Sequence, residues 1–423
     1  MLFKPRKTDV ILGADKKELS FAAKDEPQTV TLSCNTDWSA KSDKTWCKVS
    51  PTSGNGEGVL TVEVDDNAGN EMLNAVITIT AGDKIFEIKV KQATGGIYEI
   101  KLPDFTKSLV YNVKDGDNKI AELCKESVPG GEAAVITLYV LEEGSKYPVS
   151  GYVVDNGGSI KYDGSGYTPG TGSNTAESIF LVKGEVKTSA EYAVAATVEP
   201  ELLTDVDNNT YKITKIGQQY WMAENLKTTA FRDNMAIENP TDPADWKSNT
   251  KGAYCWYDND IANKDIFGAF YNANALLSGR KLAPKGWHVP TQDEWTVMYA
   301  YLGGVYNSSA ARTEKVGHKV EAISDLWKVS EDPRADKVTN VSGLGLLPGG
   351  YYTEVWDADY INQVYTFKDK GSYVYYWSAP RAGDYETDFW RQTPEYYGST
   401  IYTGYASENR DGMYVRCVRD AQK

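Results

Sequence analysis

Any chemistry in this 423-residue chain must come from two histidines, five cysteines, scattered carboxylates and an aromatic-rich carboxy-terminal half. His288 stands in the run Trp287-His288-Val289-Pro290, where a histidine is expected to pack and hydrogen-bond rather than shuttle protons. His318, between Gly317 and Lys319, is expected at the surface. Neither is accompanied by a Gly-x-Ser-x-Gly elbow or a Ser-His-Asp arrangement. The cysteines are Cys34, Cys47, Cys124, Cys255 and Cys417, and no two have the C-x-x-C spacing of zinc or thiol-redox sites. Cys34 with Cys47, and Cys255 with Cys417, are possible bridges; buried free thiols are the alternative. Asp205, Asp207 and Asn209 alternate as in a calcium loop, as do Asp258, Asp260, Asn263 and Asp265. Neither run has the glycine and closing glutamate of an EF-hand, and hairpin turns give the same pattern. No cofactor is expected, with Ca2+ as the alternative. Paired carboxylates for glycoside cleavage meet only in a fold, so spacing neither supplies nor removes them.

A different chemistry is written between Tyr351 and Tyr405. Sugars offer an apolar C–H face that stacks on exposed rings, while their hydroxyls need planar amide, carboxylate or guanidinium partners. This stretch interleaves both kinds of group. Trp356, Asp357, Tyr360, Trp390, Arg391, Tyr396 and Tyr397 are the expected ligand-binding residues. The stretch contains glycine and is weakly periodic, so loops are expected there. Tyr376 and Trp377 are expected in the core.

The bulk composition sets limits on partners. A net charge of −14 opposes nucleic-acid binding, which needs a basic patch to displace phosphate counterions, and opposes an anionic membrane surface. No apolar run approaches the roughly 20 residues of a membrane helix. Met1–Thr8 carries basic groups with no apolar run after it. That pattern is expected of a chain whose export signal is missing, or of a virion component made in the cytoplasm.

The elements that must hold these residues are mostly strands. Leu19–Phe21, Val30–Leu32, Val59–Val64, Val76–Ile79 and Phe86–Val90 alternate at period 2 between turn clusters such as Ser53–Gly58. This predicts an Ig-like β-sandwich over residues 9–94. Residues 97–200 are expected to form a β-rich spacer domain, with strands at Leu109–Val113, Ala134–Leu141, Tyr152–Val154, Ile179–Val182 and Tyr192–Val194, and a long loop at 163–175. Residues 204–420 hold both histidines and nine of the 11 tryptophans, Trp38 and Trp46 being the others. There Thr291 and Glu294 form a capping box for a helix burying Trp295, Met298, Tyr299 and Leu302, which ends at Gly303-Gly304. A second helix is expected over Phe270–Leu277, and a closing strand over Met413–Val418.

Two resemblances accompany this pattern. Trp38, Trp46–Pro51, Ser53-Gly54, Gly56, Asn70, the Val76–Ile79 strand and Gln92 resemble the BACON domain of gut Bacteroidetes and their phages. Cys47 replaces the usual Leu, and the Arg common after the Asn70 position is missing. The family name implies carbohydrate binding, whereas Trp38 and Trp46 fall where core tryptophans do, which makes the domain a spacer. Asp205–Tyr211, Ile216–Leu226, Ala253–Asp260, Phe267–Asn272, Pro284–Thr291, Leu347–Tyr351, Tyr376–Ser378 and Val415–Asp420 resemble the Fibrobacter succinogenes major paralogous domain. That resemblance implies an α+β fold related to C-type-lectin-like and formylglycine-generating-enzyme domains. Ala283 stands where members often have Cys before Pro284. The oxidase branch of the fold needs a reactive cysteine pair, and Cys255 and Cys417 give no recognisable signature of one in sequence. The expected protein is multidomain and non-enzymatic, a surface-displayed adhesion or carbohydrate-binding protein of Bacteroidetes type. Its expected partners are glycans or surface glycoproteins of host or bacterium. The alternative is a virion appendage of a phage of such bacteria, with other virion proteins as partners; a glycan hydrolase comes last.

Overall fold

Alternation of β-branched and polar residues is strongest near the amino terminus, and there it becomes two sheets. The computed structural model describes residues 9–67, 69, 72–141, 148–154, 160–162, 177–182, 185–187, 193–328, 338–380, 389–394, 399–405 and 411–420. The protein is mostly β: of the described residues 47% are in strands and 11% in helices. It divides into two compact units, Met1–Leu102 with Thr175–Val198, and Pro103–Asn174 with Glu199–Lys423. The stretch 97–200 is thus shared between them.

In the first unit one sheet runs in the order Leu12–Ala14, Gln28–Cys34, Gly58–Val64, Cys47–Ser50. The other runs Glu18–Phe21, Lys84–Gln92, Leu73–Ala81, Asp37–Ser42, Ser53–Asn55. Every second residue turns inward, so Val30, Leu32, Leu60 and Val62 meet Ile77, Ile79, Ile88 and Val90 in one apolar core. Trp38 is sealed in that core and its Nε1 donates to the Gly56 carbonyl at 2.9 Å; Trp46 is half-buried. The Trp38 ring lies against the Gly54 backbone, where an added Cβ would meet Cζ2 at 2.4 Å. Asn70 lies outside the described residues. A smaller sheet places Ile97–Lys101 between Ser178–Val182 and Val194–Ala195. The expected loop at 163–175 lies outside the described residues.

The second unit begins with an antiparallel meander: Val110–Asp115, Asn118–Ser127, Ala134–Leu141, Pro148–Val154, Ile160–Tyr162. Asn118–Ser127 was not expected. Both of its faces are covered, so Glu122 and Glu126 are buried beside Ala121, Leu123 and Cys124, and no alternation survives. Strand Thr210–Ile216 of the carboxy-terminal region lies against it, and Val110 and Cys124 share an apolar cluster with Tyr211, Ile213, Tyr220 and Met222. Lys215 reaches Glu126 at 3.2 Å, with both side chains under a tenth exposed. The Lys215 ammonium also lies 3.6 Å from the centre of the Tyr139 ring, and the Tyr139 hydroxyl donates to Glu126. Glu122 accepts from the Tyr220 hydroxyl and from Lys119 at 2.8 Å. Burial works to raise the Glu122 pKa, but the Lys119 ammonium and the hydrogen bonds from Lys119, Tyr220 and Cys124 together outweigh it and hold the carboxyl below its ordinary range.

The capping box forms as expected. Thr291 Oγ1 accepts from Glu294 N at 3.3 Å, Glu294 Oε2 accepts from Thr291 N at 2.7 Å, and the helix runs Gln292–Tyr301 with Trp295, Met298 and Tyr299 buried. Other expectations need correction. The helix expected over Phe270–Leu277 covers only Ala273–Leu277, because Phe270–Tyr271 pairs as a strand with Tyr254–Cys255. The last strand is Val418–Asp420; Met413 and Tyr414 make only isolated bridges. His318 is half-buried, in the single turn Gly317–Val320. All five cysteines are free and buried. Cys34 and Cys47 lie on either side of strand Gly58–Val64. Two strand spacings, roughly 9–10 Å, exceed what a disulfide spans. Cys255 and Cys417 belong to different apolar clusters.

Two stability outcomes are expected from chemical denaturation of the full chain. Lys215→Met leaves Glu126 buried without its cation and lowers the stability of the second unit by roughly 3–5 kcal/mol; Lys215→Met with Glu126→Leu recovers most of that loss. Gly54→Ala drives a methyl into the Trp38 ring and costs about 1–3 kcal/mol in the first unit.

Candidate functional site

The stretch expected to be loops contains strands. Tyr351–Trp356 and Gln363–Lys368 form a six-pair antiparallel hairpin, and Tyr376–Ser378, Trp390–Pro394 and Ile401–Tyr405 pair in a separate sheet. The alternation was hidden because both hairpin faces carry aromatic or β-branched residues. The hairpin starts at Gly349-Gly350, two positions without room for a side chain. A Cβ on Gly349 would meet the Tyr414 hydroxyl at 2.4 Å, and one on Gly350, with φ +69°, would meet the Lys368 carbonyl at 1.9 Å.

One face of the hairpin runs from core to solvent. At its base Tyr352 stacks on Phe367 at 4.4 Å and meets Trp246 edge-on at 5.2 Å. Tyr352 exchanges backbone hydrogen bonds with Gly412 at 2.9 and 2.7 Å. One pair further out, Glu354 lies opposite buried Tyr365 and pairs with Lys247. On the other face Thr353 Oγ1 donates to Asp411 at 2.7 Å. The next pair brings Trp356, 54% exposed, opposite Gln363.

Beyond Trp356 the chain turns through Asp357–Asn362. Asp357 accepts from Ile361 N at 2.8 Å, Asn362 N at 3.1 Å and Asn362 Nδ2 at 3.0 Å. Hydrogen bonds led by the Ile361 amide hold its carboxyl below the usual carboxylate range. Its first duty is therefore to the loop. Tyr360 adopts a left-handed backbone at φ +55°, unfavourable for a residue with a Cβ. This places its ring 79% in solvent, beside Ile361 at 71%. The tip thus displays Trp356, Tyr360, Ile361 and Val364 on a stem whose base is locked in the core.

Trp390 and Arg391 are not brought here. Arg391 is half-buried, with its guanidinium 5.6 Å from the centre of the Tyr375 ring, which stacks on Tyr351 at 4.0 Å. Tyr351 is at the hairpin base, and five residues of strand put it about 17 Å from Trp356. Trp390 is half-buried on the strand that carries Arg391. Tyr396 and Tyr397, like Tyr385 and Asp388, lie outside the described residues. Tyr376 and Trp377 are fully buried, as expected for core residues. Ile361 and Val364 were missed because an aliphatic side chain gives no sequence sign of exposure.

Of the two alternating Asp/Asn runs, Asp205, Asp207, Asp260 and Asp265 are engaged in structural bonds. Asp205 accepts from the Asp207 and Asn209 amides at 2.9 Å each and from the Tyr211 hydroxyl, organising a hairpin turn. Asp207 accepts from Thr228 Oγ1 at 3.1 Å and Thr229 Oγ1 at 3.0 Å. Asp260 accepts from Ala262 N at 2.9 Å, and Asp265 from Lys227 at 2.9 Å. Among the described residues no three His, Cys, Asp or Glu cluster as metal ligands. Burial raises the Cys124, Cys255 and Cys417 thiols, the reverse of what a thiolate nucleophile needs. His288 Nε2 meets Glu294 at 2.6 Å, and its backbone exchanges hydrogen bonds with Val418 at 2.9 and 3.0 Å.

Residues 214–419, just under half of the chain, match the family model of the Fibrobacter succinogenes major domain. Residues 36–93 match the BACON model, described as "Putative binding domain, N-terminal". The chain carries both domains. Among curated proteins none matches it. Among solved structures it is similar to a Bacteroides ovatus GH5 xyloglucanase in complex with a XXXG heptasaccharide: 20% identity over 36% of this chain and 30% of that one, TM-score 0.20. It is similar to domains 4 and 5 of the S-layer protein SbsC, at 23% identity over 21% of this chain and 55% of that one, TM-score 0.17. A protein from Bacteroides thetaiotaomicron gives 20% identity over 22% of this chain and 97% of that one, TM-score 0.17. The chain thus spans 30% of the xyloglucanase and 55% of the SbsC fragment. Among the described residues no helix is long and apolar enough to cross a membrane.

The His288–Glu294 pair has a pH signature. The hydrogen bond that His288 donates to the Glu294 carboxylate raises the His288 pKa above its ordinary value, against the effect of burial. Its stabilisation is complete below the unfolded imidazole value of about 6.5 and fades as pH rises through the folded value. In an NMR titration His288 is expected to titrate above the ordinary imidazole value of about 6.5, and Glu294→Gln to bring it back down.

Proposed function

We propose that this chain is a non-enzymatic adhesion or carbohydrate-binding protein displayed at a Bacteroidetes-type surface. Its β-rich segments are spacers, and its carboxy-terminal region is a lectin-like α+β head that engages glycans or glycoproteins through the hairpin tip. The presence of BACON and Fibrobacter succinogenes major domains in one chain supports the surface assignment. The observation that carries the binding assignment is the tip itself. Trp356 and Tyr360 are 54% and 79% exposed, yet stand on a stem fixed by the Tyr352, Phe367 and Trp246 rings. A rigid exposed ring loses little entropy on stacking against a sugar face. Asn362 and Gln363 beside them supply amides for hydroxyls.

Glycan-array and mucin-binding measurements test this. Trp356→Ala with Tyr360→Ala is expected to weaken binding about tenfold or more, the loss of roughly 1–2 kcal/mol of ring contact. Ile85→Ala, equally exposed but outside the head, leaves binding as it is. Unchanged binding by the double variant removes the tip from the reading, and saccharide turnover by the purified chain removes the non-enzymatic assignment.

A further inference from the structure

The second unit contains a cavity of about 590 Å3 between the Phe105–Leu109 segment, strand Asn118–Ser127 and the Lys212–Glu224 region. That volume is in the range of small-ligand sites. A second cavity of about 140 Å3 shares Ala223, Glu224 and Gly345 with it, so the two form one groove. Its charge runs against that of the whole protein. Five basic residues line it (Lys125, Lys212, Lys227, Lys264 and Arg416) against three acidic ones (Glu132, Glu224 and Asp265), in a chain of net charge −14.

Two of the three acids are already neutralised within the protein. Glu132 pairs with Lys319 at 2.9 Å, and Asp265 with Lys227 at 2.9 Å. Lys125, Lys212, Lys264 and Arg416 have no carboxylate partner among the described residues. Arg416 is the most telling. It is 1% exposed, and its Nε donates to Asn225 at 2.6 Å, its Nη1 to the Met222 and Leu344 carbonyls, and its Nη2 to the Gly345 carbonyl at 3.2 Å. These acceptors satisfy hydrogen bonds but bring no opposite charge, so a buried full positive charge faces the groove uncompensated. At the other end Phe105, half-buried, offers its ring with Lys125 at 5.9 Å from its centre.

A flat ring at one end and unpaired cations along the walls suit a ligand with an apolar sugar face and repeated negative groups. We propose that this groove binds an acidic oligosaccharide, a chain of sugars bearing carboxylate or sulfate groups. The site is separate from the hairpin tip and stands independently of it.

The test uses the full chain carrying Trp356→Ala and Tyr360→Ala, so that any binding belongs to the groove. Titration calorimetry with tetragalacturonate and with a heparin tetrasaccharide distinguishes carboxylate from sulfate. Binding of either, weakening as salt is raised, is the expected result. Lys212→Glu with Lys264→Glu is expected to reduce affinity at least tenfold, Phe105→Ala to reduce it severalfold, and Lys84→Glu with Lys89→Glu, a charge-matched change at exposed sites in the other unit, to leave it unaltered. Absence of binding in this background, equal binding of neutral cellotetraose, equal binding of an oligonucleotide of matched charge, or retained affinity in the lysine double variant overturns the proposal.

Discussion

A carboxylate taken out of water needs a cation or several hydrogen-bond donors; Glu126 finds its cation, Lys215, and Glu122 one of its donors, the Tyr220 hydroxyl, more than eighty residues away in sequence. Lys215 and the Tyr220 hydroxyl answer them across the line where strand Asn118–Ser127 meets Thr210–Ile216. Apolar surfaces can slide over one another at little cost, whereas an ammonium and a carboxylate that miss by one residue are both left stranded. The two glutamates therefore set the register between the meander and the carboxy-terminal region. The Phe105–Lys212 groove exists because these walls are held at that register.

The same logic, with rings in place of charges, governs the hairpin. Tyr352 and Phe367 are fixed by Trp246, Tyr257 and Phe270, and the stem emerges at an angle chosen by that packing. The tip pays for its display with a left-handed Tyr360 and a carboxylate committed to its own loop. Core and display surface are consecutive residues of one strand. A stem of this kind presents aromatic side chains without leaving them free to fold back.

Sequence pattern revealed what a single period could encode. The amino-terminal strands and the Thr291–Glu294 helix start follow from local alternation and capping chemistry, and both are where they were expected. Pattern failed wherever an element was covered on both sides. Asn118–Ser127 carries glutamates inside, and Tyr351–Trp356 carries aromatic or β-branched residues on both faces, so neither alternates. The expected binding residues were identified by type, and type does not reveal which end of a strand meets solvent. Trp356 and Tyr360 emerge, whereas Arg391, on a strand of another sheet, packs near the base of the hairpin beside Tyr375. Arg416 was legible only as part of a motif; its burial among carbonyls depends on two segments distant in sequence, the end of strand Gln219–Met222 and Leu344-Gly345.

The five cysteines are free and enclosed. Cross-links play no part in holding either unit together, and the stabilising work falls to sheet packing and buried ion pairs. Such a chain can reach its native form in a reducing compartment and keep it after transfer to an oxidising one, since folding needs no oxidant and the finished molecule shields its sulfur from one.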